Sequence, residues 1–184
     1  MHNFDIEDGI LKDYYGESRV VVVPDGVVRI GGILTPADKE CGLWGYASRY
    51  RAFYCNKHVE ELYLPDSVEK IGFKALEHCR SLRVLSFSNK MKEFECNAIN
   101  GCQALKTILY RGTIYEFSCL ETPGQTPDLE VVYCTDGEIH FGKDRKYYIE
   151  TLFYPSTRDE WEKRFPPDDW RRRRCKRIIC ADEL

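Results

Sequence analysis

VEELYLPDSVEKIGFKALEHCRS, residues 59–81, is followed by a stretch of equal length whose apolar residues fall in the same places. Leu62, Leu85 and Ile108 stand 23 apart, as do Leu64, Phe87 and Tyr110; Val59, Leu82 and Leu105; and Asn56, Cys79 and Cys102. Ala52, Ala75 and Ala98 fill a further column, Val68 matches Met91, and Ile71 matches Phe94. Seven columns on one period mark a tandem repeat. No unit could bury its apolar side alone, so the units must stack.

Within 59–81, Val59, Leu62 and Leu64 bracket a strand whose alternate residues Glu61 and Tyr63 face the other way. Pro65-Asp66-Ser67 is turn chemistry. Val68 and Ile71 re-enter the core, Gly72 permits a bend, and Ala75-Leu76 pack a helical turn inward. Small Ala in one column lets neighbouring coils approach. The Asn/Cys column is expected to satisfy backbone groups at the turn into the next strand, one rung per coil.

The first unit is irregular. Val21, Val23 and Pro24-Asp25-Gly26 match Leu62, Leu64 and Pro65-Asp66-Ser67 at an offset of 41, so 41 − 23 = 18 residues are inserted. The 18 inserted residues fall within 32–51, which carries Pro36, Trp44, Gly45, Tyr46 and Tyr50. Ahead of it, Phe4 to Tyr14 with Asp8-Gly9 at the centre predicts a β-hairpin that caps the open end of the stack.

A longer repeat follows. Tyr110 to Thr113 with Glu116-Phe117 recurs as Tyr154 to Thr157 with Glu160-Trp161, a step of 44. Val132, Cys134 and Asp136 recur as Ile178, Cys180 and Asp182, a step of 46. Each half reads as a strand, a Thr-started helical turn, a loop and a closing strand. Thr157 with Glu160 predicts a capping box, and Asp136-Gly137 a hairpin turn.

On these residues the sequence resembles bacterial BspA-like leucine-rich repeats. Their units run strand, Pro-Asp-x-Val, x-x-Ile-Gly, x-x-Ala-Phe, x-x-Cys-x-x-Leu. The stretches 59–82 and 82–105 fit, with Phe73 and Leu76 departing modestly; the resemblance thins in the insertion and after Ile139. It implies an α/β leucine-rich-repeat solenoid of 23-residue units, with an N-terminal β-hairpin cap and a C-terminal α+β extension. The expected organisation is a cap at 1–19, repeats at 20–110 and the extension at 111–184. The resemblance further implies adhesion or protein binding, and frequent secretion.

Composition excludes several classes. A net charge of −3, with 43% hydrophobic and 31% charged residues, asks for neither nucleic acid nor an anionic membrane. No stretch approaches the roughly 20 apolar residues of a membrane span. Nine cysteines, an odd number, and a start without a basic patch before an apolar run favour reduced thiols in a cytoplasm. A secreted or cell-surface place is the alternative that the resemblance offers. No Cys-x-x-Cys pair, Gly-rich phosphate loop or His-Glu-x-x-His occurs, so no metal or cofactor is expected.

Three features bear on chemistry. His78-Cys79 are chain neighbours that point apart, and Cys79 sits in a core column, so a catalytic thiol is disfavoured. His58 and His140 read as surface residues, and Asp66, Glu69, Glu77 and Glu93 as turn or convex-side carboxylates at no catalytic spacing. The basic run from Arg171 to Arg174 with Lys176 and Arg177 could grip phosphates, with Trp170 stacking on a base. A solvated helix face, paired with the acidic residues nearby, is the plainer reading.

The leading expectation is a non-enzymatic scaffold for a protein or peptide, with nucleic-acid or polyanion binding through 171–177 as the alternative. Strand alternation turns two rows outward: Val22, Tyr63, Ser86 and Leu109, then Glu61, Val84 and Thr107. Ser86, outward in this scheme, is expected to tolerate alanine. Trp44, Tyr46 and Tyr50 are expected to border the rows as further anchors. The competing reading has the insertion, or a second copy of the chain, covering them.

Overall fold

The computed structural model describes residues 3–32, 50–120, 129–141 and 147–183. Trp44 and Tyr46 lie outside these residues. The alternating stretch of each unit forms a strand: β3 (Val20–Val22), β5 (Glu61–Tyr63), β7 (Val84–Ser88) and β9 (Thr107–Arg111). Each pairs in parallel with the next. The register sets Val21 beside Leu62, Leu62 beside Leu85 and Leu85 beside Ile108, as the sequence columns predict. All four are buried. A slip of one residue would turn the whole column to the other face.

The second apolar column forms two-residue strands, β4 (Arg29–Ile30), β6 (Lys70–Ile71) and β8 (Glu93–Phe94), with Ile30, Ile71 and Phe94 aligned. They join the hairpin β1 (Phe4–Glu7) and β2 (Ile10–Tyr14) in a five-stranded sheet ordered β1-β2-β4-β6-β8. Asp8 and Gly9 at the hairpin turn have φ of 51° and 74°, the pair of positive values a two-residue hairpin turn needs. The apolar residues of both sheets meet in one core.

The turn expected at Ala75-Leu76 forms but does not continue as a helix: Ala75 N donates to Gly72 O and Glu77 N to Lys74 O, both at 3.1 Å. The groups between them reach the neighbouring coil instead. Phe53 N donates to Ala75 O and Leu76 N to Ala98 O, at 2.9 and 2.8 Å. Cys55 N donates to Glu77 O and His78 N to Asn100 O, at 2.9 and 2.8 Å. Left-handed residues aim these groups: Cys55, His78 and Gly101, one per coil, have φ of 58°, 62° and 71°. Gly72 also differs from expectation, since what requires glycine is proximity. A Cβ there would lie 2.2 Å from Gly31 O of the preceding coil.

Thiols link the coils as well. Cys79 Sγ donates to Phe53 O at 2.9 Å and Cys102 Sγ to Leu76 O at 3.0 Å, both from buried side chains. This is the rung-per-coil ladder expected of the column. Asn56 works locally, its Oδ1 accepting from His58 N and Val59 N.

The carboxyl-terminal residues extend the long sheet. They form α1 (Ile114–Cys119), β10 (Val131–Cys134), β11 (Gly137–Phe141), β12 (Tyr147–Tyr154), α2 (Arg158–Arg164), α3 (Trp170–Arg174) and β13 (Cys175–Cys180). The long sheet runs β13-β12-β11-β10-β9-β7-β5-β3, with β11 antiparallel to both neighbours. The double repeat has a physical basis at the helix starts. Asp136 Oδ1 accepts from Ile114 N at 2.7 Å, and Asp182 Oδ1 accepts from Arg158 N at 3.1 Å. The reciprocal capping box stands at Thr113 and Glu116. At Thr157 only half of it forms, because the Glu160 carboxylate turns to the Ser156 hydroxyl.

Candidate binding face

The outward residues of the long sheet line up across its strands. One row runs Val22, Tyr63, Ser86, Leu109, Tyr133 and Glu138; the other runs Val20, Glu61, Val84, Thr107, Val131, His140 and Tyr148. Val20 and Val22 are 53% and 66% exposed, and Tyr133 is 47% exposed. Glu61, Tyr63, Val84, Thr107 and Leu109 are half-buried. The Tyr63 hydroxyl donates to Glu61 Oε2 at 2.7 Å, and that bond holds the phenol above its ordinary pKa.

Two expected members differ. Ser86 is buried, because the Arg111 side chain lies over it and donates from Nη1 to its hydroxyl at 2.8 Å. Tyr50 sits with Lys12 of the five-stranded sheet, whose ammonium is 5.0 Å from the ring centre, and not in the rows of the long sheet. Its carbonyl accepts from Gly32 N at 2.7 Å, so the two ends of the insertion are tied together. Trp44 and Tyr46 cannot be placed, being outside the described residues.

Sequence reasoning stopped the rows at Leu109 and missed Val131, Tyr133, His140 and Tyr148. A signal was present: Val132 stands 24 residues after Ile108, and the two are register partners. At the far end the His140 and Tyr148 rings stack at 5.5 Å, and Lys176 Nζ lies 4.1 Å from the Tyr148 ring centre. His140 is therefore a half-buried member of the sheet. Glu77 is also corrected, being buried beside Lys74 at 3.3 Å, with Asn100 Nδ2 donating to it at 3.4 Å.

The basic run divides between α3 and β13. Arg172 pairs with Glu162, and Lys176 with Glu150 at 2.7 Å, while Arg173 and Arg177 are exposed. The adjacent thiol of Cys102, and burial, push Cys79 well above the ordinary thiol pKa, the opposite of an activated nucleophile. Among the described residues no helix is long and apolar enough to cross a membrane, and no three His, Cys, Asp or Glu gather as metal ligands would.

Residues 48–119 match the family described as "BspA type Leucine rich repeat region (6 copies)". Over that stretch the chain is similar to BspA-type leucine-rich repeats. Leucine-rich repeats generally mediate protein–protein binding. No curated protein and no solved structure matches the chain.

Proposed function

We propose that this protein is a short solenoid of stacked 23-residue units, working as a non-enzymatic scaffold for a protein or peptide. The outward rows of the long sheet are its docking face, with Val22, Tyr63, Val84, Leu109 and Tyr133 as anchors and Glu61 and Thr107 as polar contacts. The observation that carries this reading is the in-register line of Val22, Tyr63, Leu109 and Tyr133, with apolar ends left about half exposed or more. A solvated sheet face has no need of such a line, and exposed apolar surface with aromatic anchors is the usual mark of an interface. A reducing compartment suits thiols that serve as backbone donors, so a cytoplasmic place is favoured. The pairing of Arg172 and Lys176 weighs against a polyanion as the partner.

Selection of peptides from a display library on the immobilised protein tests this reading. Amide hydrogen exchange of the resulting complex should be slowed in β5, β7, β9 and β10. Protection confined to the five-stranded sheet or to 171–177 would refute the assignment of the face.

A further inference from the structure

The long sheet ends in two edge strands, β13 and β3, and the chain treats them differently. At β13 the edge is guarded. Ile178 O accepts from Arg158 Nη2 and Cys180 N donates to Glu183 Oε2, both at 2.8 Å, while Lys176 and Arg177 stand exposed. Occupied backbone groups and edge charges are the usual means of keeping a sheet end from pairing. β3 has neither. It is three valines long, and among the described residues no strand pairs with its outer side.

The bonds to β5 fix where the other backbone groups of β3 point. Arg19 O accepts from Glu60 N and Glu61 N, at 2.7 and 3.0 Å, and Val23 N donates to Tyr63 O at 2.9 Å. By alternation along the strand, the N–H and C=O groups of Val20 and Val22 point away from β5. Their side chains are open as well, at 53% and 66% exposed. An apolar edge with backbone donors and acceptors on offer is a template for another strand.

We propose that the outer edge of β3 pairs antiparallel with the same edge of a second copy of the chain, across a twofold axis at Val21. The edge is self-complementary in that register. Val20 stands opposite the partner's Val22, and Val22 opposite the partner's Val20, each pair exchanging both of its N–H···O bonds. The paired valines share the outward face and pack on each other. Pro24 lacks the next outward N–H, so the ladder ends there. A slip of two residues either way would set one valine of each strand against Ser18 or Pro24. Charge agrees with the register. Arg19, whose side chain is 79% exposed despite its contact with Glu60, lies diagonally across from the partner's Asp25, and Asp25 is exposed too. Two β13 edges would instead bring Lys176 and Arg177 against their like. The dimer does not rest on the docking reading, although it would set the two docking faces side by side.

Sedimentation velocity of the full chain over a concentration series tests the dimer, with amide hydrogen exchange read at β3. The mass should rise to twice that of one chain and stop there, because a twofold contact closes. Exchange at Val20 and Val22 should slow as concentration rises. Val22→Pro removes an outward donor and keeps every bond to β5, the place where an edge strand tolerates proline. Val20→Lys puts a charge on the edge without touching the core, and serves if Val22→Pro does not fold. Each should weaken association by about tenfold or more. Asp25→Lys, which sets like charge against Arg19, should weaken it about fivefold at low salt. Arg177→Gln, on β13, should leave it unchanged. A monomer at every concentration up to about 1 mM overturns the proposal. Growth past the dimer also overturns it, as does a dimer indifferent to Val20→Lys. Loss with Arg177→Gln would move the contact to β13 and equally overturn it.

Discussion

Arg111 grips Asp66 from two strands away, its Nε and Nη2 both donating to Oδ1 at 3.0 and 2.8 Å. The same guanidinium donates to Leu64 O at 2.7 Å and to Ser86 Oγ at 2.8 Å. One side chain at the end of β9 thereby fastens β5 and β7. The ion pair is largely exposed and contributes little by itself. The bonds to Leu64 and Ser86 carry most of the effect.

Arg111→Ala should therefore destabilise the chain by about 1–3 kcal/mol. Ser86→Ala, expected from the sequence alone to be silent, should cost about 1 kcal/mol through the lost acceptor. In denaturant melts the double variant should lose less than the sum of the singles, because both remove one bond. Strict additivity would mean that the two side chains do not interact in solution.

Leu85→Ala removes a fully buried side chain at the middle of the register and should cost about 2–5 kcal/mol by lost transfer energy plus the cavity. Thr107→Ala, on the outward row, should stay within about 0.5 kcal/mol. Equal losses would mean that the sheet is not one-sided.

The acids at the start of α1 should respond to pH with opposite signs. Burial raises Asp136, so its ionisation is harder in the fold than in the unfolded chain. Stability is then lost as pH rises from about 3.9, the unfolded value, through the raised folded value. Asp136→Asn keeps an acceptor for Ile114 N and should be at least as stable as the parent at pH 7, the gain vanishing at low pH. The Thr113 backbone N–H lowers Glu116. Its contribution is present above the unfolded value of about 4.3 and is lost as pH falls through the lowered folded value; Glu116→Gln should remove that dependence. Melts of the two variants from pH 3 to 7 check both signs.

Thiol labelling should divide the cysteines. Cys55, Cys96 and Cys119 are exposed and should react in the native state with a chromogenic disulfide at neutral pH. Cys79, Cys102 and Cys180 are buried and should react only on unfolding. Fast native labelling of Cys79 would contradict the thiol ladder.

The register of Leu62, Leu85 and Ile108 was legible because a column of apolar residues on a fixed period has one packing solution. The hairpin was legible because Asp8-Gly9 suits two consecutive positive φ values. The bends were not. Cys55, His78 and Gly101 share a left-handed backbone, yet three different side chains occupy the position and only Gly101 advertises it. The turn at Ala75-Leu76 was legible, but not that its alternate donors cross to the neighbouring coil, because propensity is silent about partners outside the unit. The docking face was half legible: alternation gave its rows, but the cover over Ser86 comes from Arg111, one strand away and two residues further along its strand.

The central claim, that the outward rows of the long sheet hold a protein or peptide partner, is tested most directly by titration calorimetry of a display-selected peptide against three proteins. Relative to the parent chain, Tyr63→Ala and Leu109→Asp should each weaken the peptide at least tenfold while their melting curves stay nearly superimposable on the parent's. Unchanged affinity in both variants would contradict the claim.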